Sequence, residues 1–370
     1  METVAIVSPR YPPYVGGVEN HVSQLAKRAT KFFKQVYVIT TDPSGHLPSV
    51  QEFDDGLKVL RVKSLAPREN YHFPSLPGLY RLLKECKPDL LHLHCIHDVP
   101  GPIAGSMPGK SSLLFTPHYV GRLNSGLGRL FFSTYRALLR PLITRIPRII
   151  CISKFEAKLM GDTFPESVGK IEIIPNGIDS LLLEKNQWQS PEEPSILYAG
   201  RLEKYKNIDM VIKAVAKLRD KHDSLTFRIV GSGPYKNELV QLSRTLGVTR
   251  NIEWIDRLPQ KDLFPLYATS SVVVQASEYE NWGNTVAEAI GVGAPTIVAN
   301  TSSLAAFVDE GLAQPVESPV NEVKLSMKIG EMLENPAKYS PKGVRSPLII
   351  SWDEAAEKTF TPNISPILTA

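Results

Sequence analysis

Hydrophobic residues occur along this chain in short runs that alternate with longer segments in which apolar positions recur every three or four residues. The short runs are rich in β-branched residues and predict buried strands, whereas the longer segments predict helices that bury one face. One such helical face is formed by Val18, Val22, Leu25, Ala26 and Ala29. Because strands that alternate with helices form parallel sheets covered on both faces, the pattern predicts an α/β protein.

The predicted strands form two series, separated by a polar, proline-bearing stretch at residues 186–194 that is predicted to be a linker. The first series comprises residues 4–8, 36–41, 57–62, 89–94, 112–116, 148–153 and 171–175. The second comprises residues 195–200, 225–231, 251–255, 271–276 and 295–299. The prediction is therefore two doubly wound, Rossmann-like domains facing a cleft, at residues 1–186 and 187–345, followed by a C-terminal segment at 346–370.

Composition places the chain among soluble globular proteins, with 42% hydrophobic and 22% charged residues in a length of 370 that accommodates two domains. The three cysteines, Cys86, Cys95 and Cys151, include no CxxC pair, which favours a reducing, cytoplasmic location and argues against structural disulfides or a zinc site. No run of about 18 apolar residues is present, so no membrane-spanning helix is predicted.

The net charge of +4 conceals an asymmetry, because residues 1–190 carry 23 basic and 16 acidic residues, a net charge of +7. Within the basic segment at residues 122–148, Arg129, Arg136 and Arg140 share one helical face among apolar neighbours. This composition is typical of a helix that docks peripherally on an anionic membrane. The alternative is a core-facing helix whose arginines are only solvated.

Four turns at the carboxyl ends of strands, where doubly wound folds bind ligands, carry candidate residues. In the first, Gly16 and Gly17 precede a helix, where backbone N–H groups can approach an anion, although a plain glycine turn explains them equally well. In the second, His118 follows a strand, and a lone loop histidine is more often a polar surface residue. His92 and His94 alternate on another predicted strand, but too few carboxylates lie nearby to favour a metal site.

The third turn contains Arg201 and Lys206, between a strand and a helix. Two cations beside a helix N-terminus suit a phosphate group, although a solvated charge cluster is the plainer explanation. A glycine turn at residues 229–234 follows the next strand and offers similar backbone groups.

The fourth turn contains Glu280 and Glu288, separated by seven residues that include Gly283. Thr285 and Glu288 fit a capping box at the start of a helix, which leaves Glu280 unexplained. Because a helix N-terminus attracts phosphate and carboxylates accept hydrogen bonds from sugar hydroxyls, this turn is predicted to bind a sugar phosphate.

Six motifs occur in the order seen in family 4 glycosyltransferases, and the chain resembles that family. The motifs lie at residues 16–29, 152–160, 174–179, 198–207, 229–234 and 280–299. The resemblance implies the GT-B fold and the retaining transfer of a hexose from a nucleotide diphosphate sugar, a UDP- or GDP-sugar, to an acceptor hydroxyl. We expect the acceptor to be a glycan or a lipid-linked molecule at the membrane surface.

The resemblance also implies roles for the donor-side residues. Glu280 is expected to contact the donor sugar, Glu288 the ribose of the nucleotide, and Arg201 and Lys206 the diphosphate. The rest of the donor-binding loop consists of Asn281, Trp282, Gly283, Asn284 and Thr285. No cofactor or metal ion is expected, because the two cations can replace Mg²⁺ at the diphosphate.

On the first domain, the acceptor side, the resemblance places Gly16 and Gly17 near the phosphates and the acceptor, and His118 near the donor sugar. Residues 351–360 match the final helix of the family, which crosses back onto the N-terminal domain. The second domain is then the one that binds the nucleotide sugar.

Two departures from the family pattern concern the donor. Residues 301–308 lack the Gly-Gly-Glu of many relatives, and Asp256 stands where relatives often have glycine. Because a carboxylate can accept two hydrogen bonds from guanine, Asp256 suggests a GDP-sugar. A sugar-nucleotide epimerase and a catalytically silent binding protein remain alternatives, whereas a nucleic-acid partner is not expected, since the basic segment has few aromatic residues arrayed for stacking.

Overall fold

The computed structural model describes residues 2–65, 72–121 and 126–361, with the exception of the side chains of residues 126–134. The chain forms two compact units, Met1–Asn176 with Trp352–Ala370, and Gly177–Ser351. The sequence boundaries at residues 186 and 345 therefore differ from those of the structure. Each unit has its own sheet and its own hydrophobic core.

The first unit is built on one nine-stranded sheet. Its strands are β1 (Thr3–Val7), β2 (Gln35–Asp42), β3 (Val50–Glu52), β4 (Leu57–Leu65), β5 (Phe73–Pro74), β6 (Leu90–His94), β7 (Ser112–Thr116), β8 (Arg148–Cys151) and β9 (Ile171–Ile173). The order is β3-β4-β2-β1-β6-β7-β8-β9, with β5 also paired to β4, and only β3 and β5 run antiparallel to their neighbour. This order sets the carboxyl ends of β1, β6 and β7 side by side.

Helices cover the first sheet because each presents an apolar stripe to it. They are α1 (Gly17–Ala29), α2 (Leu76–Cys86), α3 (Pro100–Ser106), α4 (Gly126–Arg145), α5 (Lys154–Thr163) and α13 (Trp352–Phe360). The last of these packs on α1, where Asp353 Oδ2 lies 3.2 Å from Arg28 Nε, and on the turn after α1, where the ring of Phe360 meets that of Phe33. The C-terminal helix thus belongs to the first unit.

The second unit has a six-stranded, fully parallel sheet in the order β12-β11-β10-β13-β14-β15. The strands are β10 (Ser195–Ala199), β11 (Thr226–Val230), β12 (Ile252–Ile255), β13 (Val272–Gln275), β14 (Thr296–Ala299) and β15 (Gln314–Val316). The helices are α6 (Ser180–Lys185), α7 (Ile208–Leu218), α8 (Lys236–Thr245), α9 (Gln260–Ala268), α10 (Asn284–Val292), α11 (Ala305–Asp309) and α12 (Glu322–Glu334). The predicted α/β class is confirmed.

Every strand expected from the hydrophobic pattern corresponds to an observed strand, but β3, β5 and β15 were not predicted. These three are only two or three residues long, and β3 is exposed along its length. Such short strands at the edge of a sheet bury too little apolar surface to leave a recognisable pattern in the sequence.

The stretch at residues 186–194 is not a linker, as the sequence suggested, but part of the second unit. Trp188 is buried, its backbone N–H donates to Val292 O at 2.8 Å, and its indole N–H donates to Ser270 O at 2.8 Å. Burial of Trp188 holds this stretch in the second unit despite its polar composition. The boundary between the two units therefore lies before residue 186.

Helix α4 continues through Pro141. Leu139, Leu142 and Ile143 are buried in the core of the first unit, so this part of the helix faces the sheet. Arg136 is exposed, whereas the side chain of Arg129 lies outside the described residues. Among the described residues, no helix is long and apolar enough to cross a membrane.

Candidate active site

The strand order of the second unit brings two of the predicted residues together. Strands β10 and β13 are neighbours, with Leu197 opposite Val273, although they are far apart along the chain. Lys206 follows β10 and Glu280 follows β13, so both lie at the carboxyl edge of the sheet. Their side chains form an ion pair of which only 10% of Lys206 and 16% of Glu280 is exposed.

One carboxylate oxygen of Glu280 receives all of the observed donors. Its Oε1 accepts from the Lys206 ammonium, from Gln275 Nε2 at 2.9 Å and from Ser277 Oγ at 2.8 Å. The other oxygen, Oε2, has no protein partner within the described part of the chain. Burial alone lowers the pKa of Lys206, but the Glu280 carboxylate outweighs it and holds that pKa above its ordinary value. The Lys206 side chain therefore stays protonated as an ammonium.

The segment that departs from the family pattern, residues 301–308, supports this pair. Ser302 Oγ accepts from the backbone N–H of Glu280 at 2.9 Å. Ser303 Oγ donates to the backbone carbonyls of Glu280 at 2.9 Å and of Trp282 at 3.0 Å. Two serine hydroxyls thus fix the backbone of the loop, a contribution that a Gly-Gly pair cannot make.

The centre of the loop is tightly packed. Trp282 is buried against Phe307, with ring centroids 5.2 Å apart. Gly283 has a φ of 95°, and a Cβ there would lie 2.9 Å from Leu304 Cδ2, so both conformation and space require glycine. Trp282 Nε1 and Asn281 Oδ1 are buried polar atoms without a hydrogen-bond partner among the described residues. Such atoms are uncommon and mark places where a ligand can complete the bonding.

Helix α10 begins directly after Gly283, and no side chain caps its N-terminus. The predicted capping box is therefore wrong, because the helix starts at Asn284 and both Thr285 and Glu288 lie too far along it. A helix N-terminus without a side-chain cap presents backbone N–H groups and a partial positive charge, which attract a phosphate group. This end of α10 is adjacent in sequence to Glu280.

Glu288 points instead toward α9. Its carboxylate accepts from Gln260 Nε2 at 2.8 Å and from the Tyr267 hydroxyl at 3.1 Å. Burial raises the pKa of Glu288 to about 7, even though both hydrogen bonds lower it. Gln260 and Tyr267 were not identified from the sequence. They are seven residues apart on α9, and nothing in that spacing indicates that they contact Glu288 of α10.

Two further predicted residues lie on the surface of the second unit. The side chain of Arg201 is 74% exposed and pairs with Glu203 at 2.8 Å. Asp256, at the end of β12, is 88% exposed and pairs with Lys236 at 3.0 Å. Neither contacts Lys206 or Glu280 within the described residues, so the structure brings together only part of the predicted set.

In the first unit, the glycine turn adjoins a buried carboxylate. Gly16 has an extended backbone, and α1 begins at Gly17. A Cβ on Gly16 would lie 2.3 Å from Glu19 Oε2, so the lack of a side chain leaves room for Glu19. The Glu19 carboxylate is 4% exposed and lies 2.9 Å from Arg10 Nε. Glu19 and Arg10 were not singled out from the sequence.

The loop that carries His118 is anchored by Glu156. Its Oε1 accepts from the backbone N–H of Tyr119 at 2.5 Å, and its Oε2 accepts from that of Ile152 at 2.7 Å. Ser153 Oγ accepts from the Glu156 N–H at 3.0 Å, which caps α5. The spacing of Ser153 and Glu156, S-x-x-E, is a capping signal already present in the sequence.

His118 is not a lone loop histidine. Its Nε2 lies 3.1 Å from Nδ1 of His94, and its ring is 4.9 Å from that of His21. His94 ends β6, His118 follows β7, and His21 lies in α1, the helix after β1; all three are buried. Burial lowers the pKa of each, so the imidazoles are neutral near pH 7. His21 was missed because it lies within an ordinary amphipathic helix.

Backbone strain is concentrated in the same places. Five described residues other than glycine have positive φ, and four of them flank these candidate groups: Cys95, His118, Asn207 and Ser302. A residue with a side chain adopts this conformation at an energetic cost, so the surrounding structure must impose it. The concentration supports a functional role for both carboxyl edges.

Comparison with known proteins agrees with this geometry. The profile described as Glycosyltransferase Family 4 matches residues 15–180, and that described as Glycosyl transferases group 1 matches residues 183–343. The chain is 26% identical over 391 residues to a glycogen synthase of Mycobacterium tuberculosis, covering 98% of this chain and 94% of the relative. It is also 26% identical to an uncharacterized glycosyltransferase of Methanocaldococcus jannaschii, covering 96% of each.

Solved structures share the fold. A sucrose-phosphate synthase from Thermosynechococcus elongatus superposes with a TM-score of 0.73 at 19% identity, covering 97% of this chain and 95% of the other. Anabaena HepE in complex with UDP-glucose superposes with a TM-score of 0.68 at 17% identity, covering 97% and 96%. With the two matched profiles, these similarities show that the chain belongs to the family 4 glycosyltransferases and has the GT-B fold.

Proposed function

We propose that this glycosyltransferase moves a hexose from a nucleotide diphosphate sugar to an acceptor hydroxyl with retention of the anomeric configuration. The observation that carries the proposal is the buried Lys206–Glu280 pair, whose Glu280 lies in the loop that leads into the uncapped N-terminus of α10. The unpartnered oxygen of Glu280 is a hydrogen-bond acceptor for a sugar hydroxyl. The ammonium of Lys206 and the helix N–H groups suit a diphosphate.

In this reaction the bond from C1 of the sugar to the diphosphate oxygen breaks, and the acceptor oxygen bonds to C1 on the same face. The acceptor proton passes to the departing diphosphate. Negative charge grows on the diphosphate, so Lys206, Arg201 and the α10 amides lower the barrier by electrostatic stabilisation, and the scheme requires no metal ion. Glu280 positions the sugar rather than attacking it, and Glu288 binds the ribose.

For the first unit, we propose that the glycine turn at Gly16 and Gly17 approaches the phosphates and the acceptor, and that His118 contacts the donor sugar. The neutral imidazole of His118 can accept or donate a hydrogen bond to a hydroxyl. The acceptor is a glycan or a lipid-linked molecule, and the exposed basic face of α4 favours an acceptor on an anionic membrane surface.

A UDP-hexose is our first choice of donor, because Anabaena HepE is described in complexes with UDP and with UDP-glucose. The alternative, a GDP-sugar, depends on Asp256, whose carboxylate is exposed and engaged by Lys236. Thermal stabilisation by UDP-, GDP- and ADP-sugars distinguishes the three. Tighter binding of a GDP-sugar would favour the role of Asp256, and stabilisation by none would argue for a donor of another class.

The catalytic proposal is tested by Glu280→Gln and Lys206→Ala. We expect E280Q to fold and to lower sugar transfer at least about tenfold, which corresponds to roughly 1.4 kcal/mol in the barrier. K206A should weaken binding of the nucleotide diphosphate more than binding of the nucleoside. Glu310→Gln, at an exposed acid of the same unit, is the control. Near-normal transfer by folded E280Q contradicts the role of Glu280, and product formed without an acceptor indicates an epimerase.

A further inference from the structure

The cluster of His21, His94 and His118 in the first unit is unusual because it concentrates three neutral imidazoles in one buried place. One nitrogen from each ring can be chosen so that the three lie within 4.8 Å of one another. We propose that these three histidines form a binding site for a transition-metal ion, with Zn²⁺ as the best fit. This proposal shares His118 with the proposed donor site, but it is tested by metal content rather than by sugar transfer.

The spacing of the rings fits three ligands of one metal ion. The centroids of His21 and His94 are 5.4 Å apart, those of His94 and His118 are 5.4 Å apart, and those of His21 and His118 are 4.9 Å apart. In a tetrahedral site with Zn–N bonds of about 2.0–2.1 Å, the centroids of two ligand imidazoles lie roughly 5.2 Å apart. The observed triangle therefore matches the metal geometry on all three sides.

The nearest nitrogens give the same result. Nδ1 of His94 and Nε2 of His118 are separated by 3.1 Å. Two ligand nitrogens on one tetrahedral zinc ion are about 3.3 Å apart, given the same bond lengths. In the absence of a metal ion, this contact is a hydrogen bond between two imidazoles, so the distance alone does not distinguish the two states. The bonding of His21 favours the metal-bound state.

Two imidazole nitrogens in the cluster lack partners among the described residues. Nε2 of His21 and Nε2 of His94 are buried and make no hydrogen bond, and with Nδ1 of His94 as the ligand it is Nε2 of His21 that gains a partner from the metal ion. The Nδ1–H of His21 donates to Asn176 Oδ1 at 2.7 Å, so the lone pair of His21 is on Nε2. A carbonyl oxygen that holds the opposite N–H of a histidine is the usual outer contact of a metal-binding imidazole. Asn176 thus orients His21 as a ligand.

The ligand set also determines which ions fit. Three imidazoles without a carboxylate suit Zn²⁺ or Co²⁺ and disfavour Mg²⁺ and Ca²⁺, which prefer oxygen ligands. Three protein ligands leave a fourth position for water or another small ligand. The site is thus of a different kind from one in which a metal ion binds the donor diphosphate.

The test begins with the unmodified chain, stripped of metal by a chelator, reloaded with Zn²⁺ or Co²⁺ and freed of excess metal by gel filtration. We expect one equivalent of Zn²⁺ by elemental analysis. We also expect a Co²⁺ absorption spectrum of tetrahedral type without a thiolate charge-transfer band. A Zn²⁺ content below about 0.1 equivalents per chain, or retention of Mg²⁺ equal to that of Zn²⁺, would overturn the proposal. This outcome does not depend on whether the variants fold.

The variants His21→Gln, His94→Gln and His118→Gln should each weaken Zn²⁺ binding at least about tenfold, and Asn176→Ala by about tenfold through loss of orientation. His46→Gln changes an exposed histidine of the same unit and should retain the full metal content. Metal content unchanged in the folded variants, or lost equally in H46Q, would show binding elsewhere on the chain. Because donor binding is measured separately by thermal stabilisation, failure here leaves the glycosyl-transfer proposal intact.

Discussion

At the scale of single residues, the sequence identified Lys206 and Glu280 separately but not as a pair. Each lies after a buried strand, and doubly wound folds bind ligands at the carboxyl ends of their strands. The hydrophobic pattern predicted both strands and therefore both positions. Their contact depends on β10 lying beside β13, an arrangement that no local pattern encodes. His21 was missed because it lies within the amphipathic helix α1, while its partners come from β6 and from the loop after β7.

The raised pKa of Glu288 leads to a prediction about stability. The folded-state pKa of about 7 exceeds the ordinary value of 4.5, so the folded chain holds this proton more tightly than the unfolded chain. The free energy of unfolding should therefore decrease as pH rises from about 4.5 through about 7, by an amount on the order of 3 kcal/mol. Glu288→Gln cannot ionise and should lack this part of the decrease.

Chemical denaturation of the unmodified chain and of E288Q at about pH 5 and about pH 8 measures the difference. Glutamine still accepts a hydrogen bond from Tyr267, so the variant isolates the charge. We expect E288Q to gain stability relative to the unmodified chain only at the higher pH. The same pH dependence in both proteins would mean that Glu288 titrates normally. Weaker nucleotide binding by E288Q would separately support a ribose contact.

At the scale of elements, the turns after β10 and β11 are packed directly against each other. A Cβ on Gly233 would lie 2.3 Å from Leu202 O, and one on Gly231 would lie 1.9 Å from Gly200 O. Leu202 N–H donates to Ser232 O at 3.0 Å, and Leu202 O accepts from Tyr235 N–H at 3.0 Å. These backbone contacts fix the segment that leads to Lys206.

Gly233→Ala should therefore force the two turns apart. We expect a loss of about 1–3 kcal/mol in the free energy of unfolding, typical of overpacking against atoms that cannot yield. Gly109→Ala is the matched control, because a Cβ there meets no atom within 4 Å. Chemical denaturation of both variants measures the effect. An equally small change in the two would show that the turns have room to separate.

The glycine turns also show where sequence analysis is limited. The motif at residues 229–234 indicated a turn with exposed backbone groups, but the structure uses Gly231 and Gly233 for close approach of two turns. Both an open turn and a close approach of two turns need a residue without a side chain, so the sequence alone does not show which of the two a glycine serves. Strand and helix positions, by contrast, followed from the apolar pattern, because burial in a parallel sheet requires continuous hydrophobic runs.

At the scale of the whole molecule, the positive charge of the first 190 residues raises the question of what it attracts. On the described part of α4, Arg136 and Arg140 are exposed, and Leu138 is 72% exposed. Arg140 Nε lies 3.1 Å from Glu166 Oε1, so its charge is partly neutralised. Exposed arginines together with an exposed leucine on one helix are the composition of a helix that rests on an anionic membrane, while the buried face of α4 holds it to the sheet.

We therefore expect the protein to co-sediment with anionic vesicles at low salt and to be released as the salt concentration rises, because salt screens the attraction. Each exposed arginine contributes about 1 kcal/mol near such a surface. Allowing for the Arg140–Glu166 pair, Arg136→Gln with Arg140→Gln should weaken vesicle binding about 5–30-fold and leave nucleotide binding unchanged. Arg250→Gln, an exposed arginine of the second unit, should change neither. Failure of the unmodified protein to bind anionic vesicles at low salt would favour an acceptor free in solution.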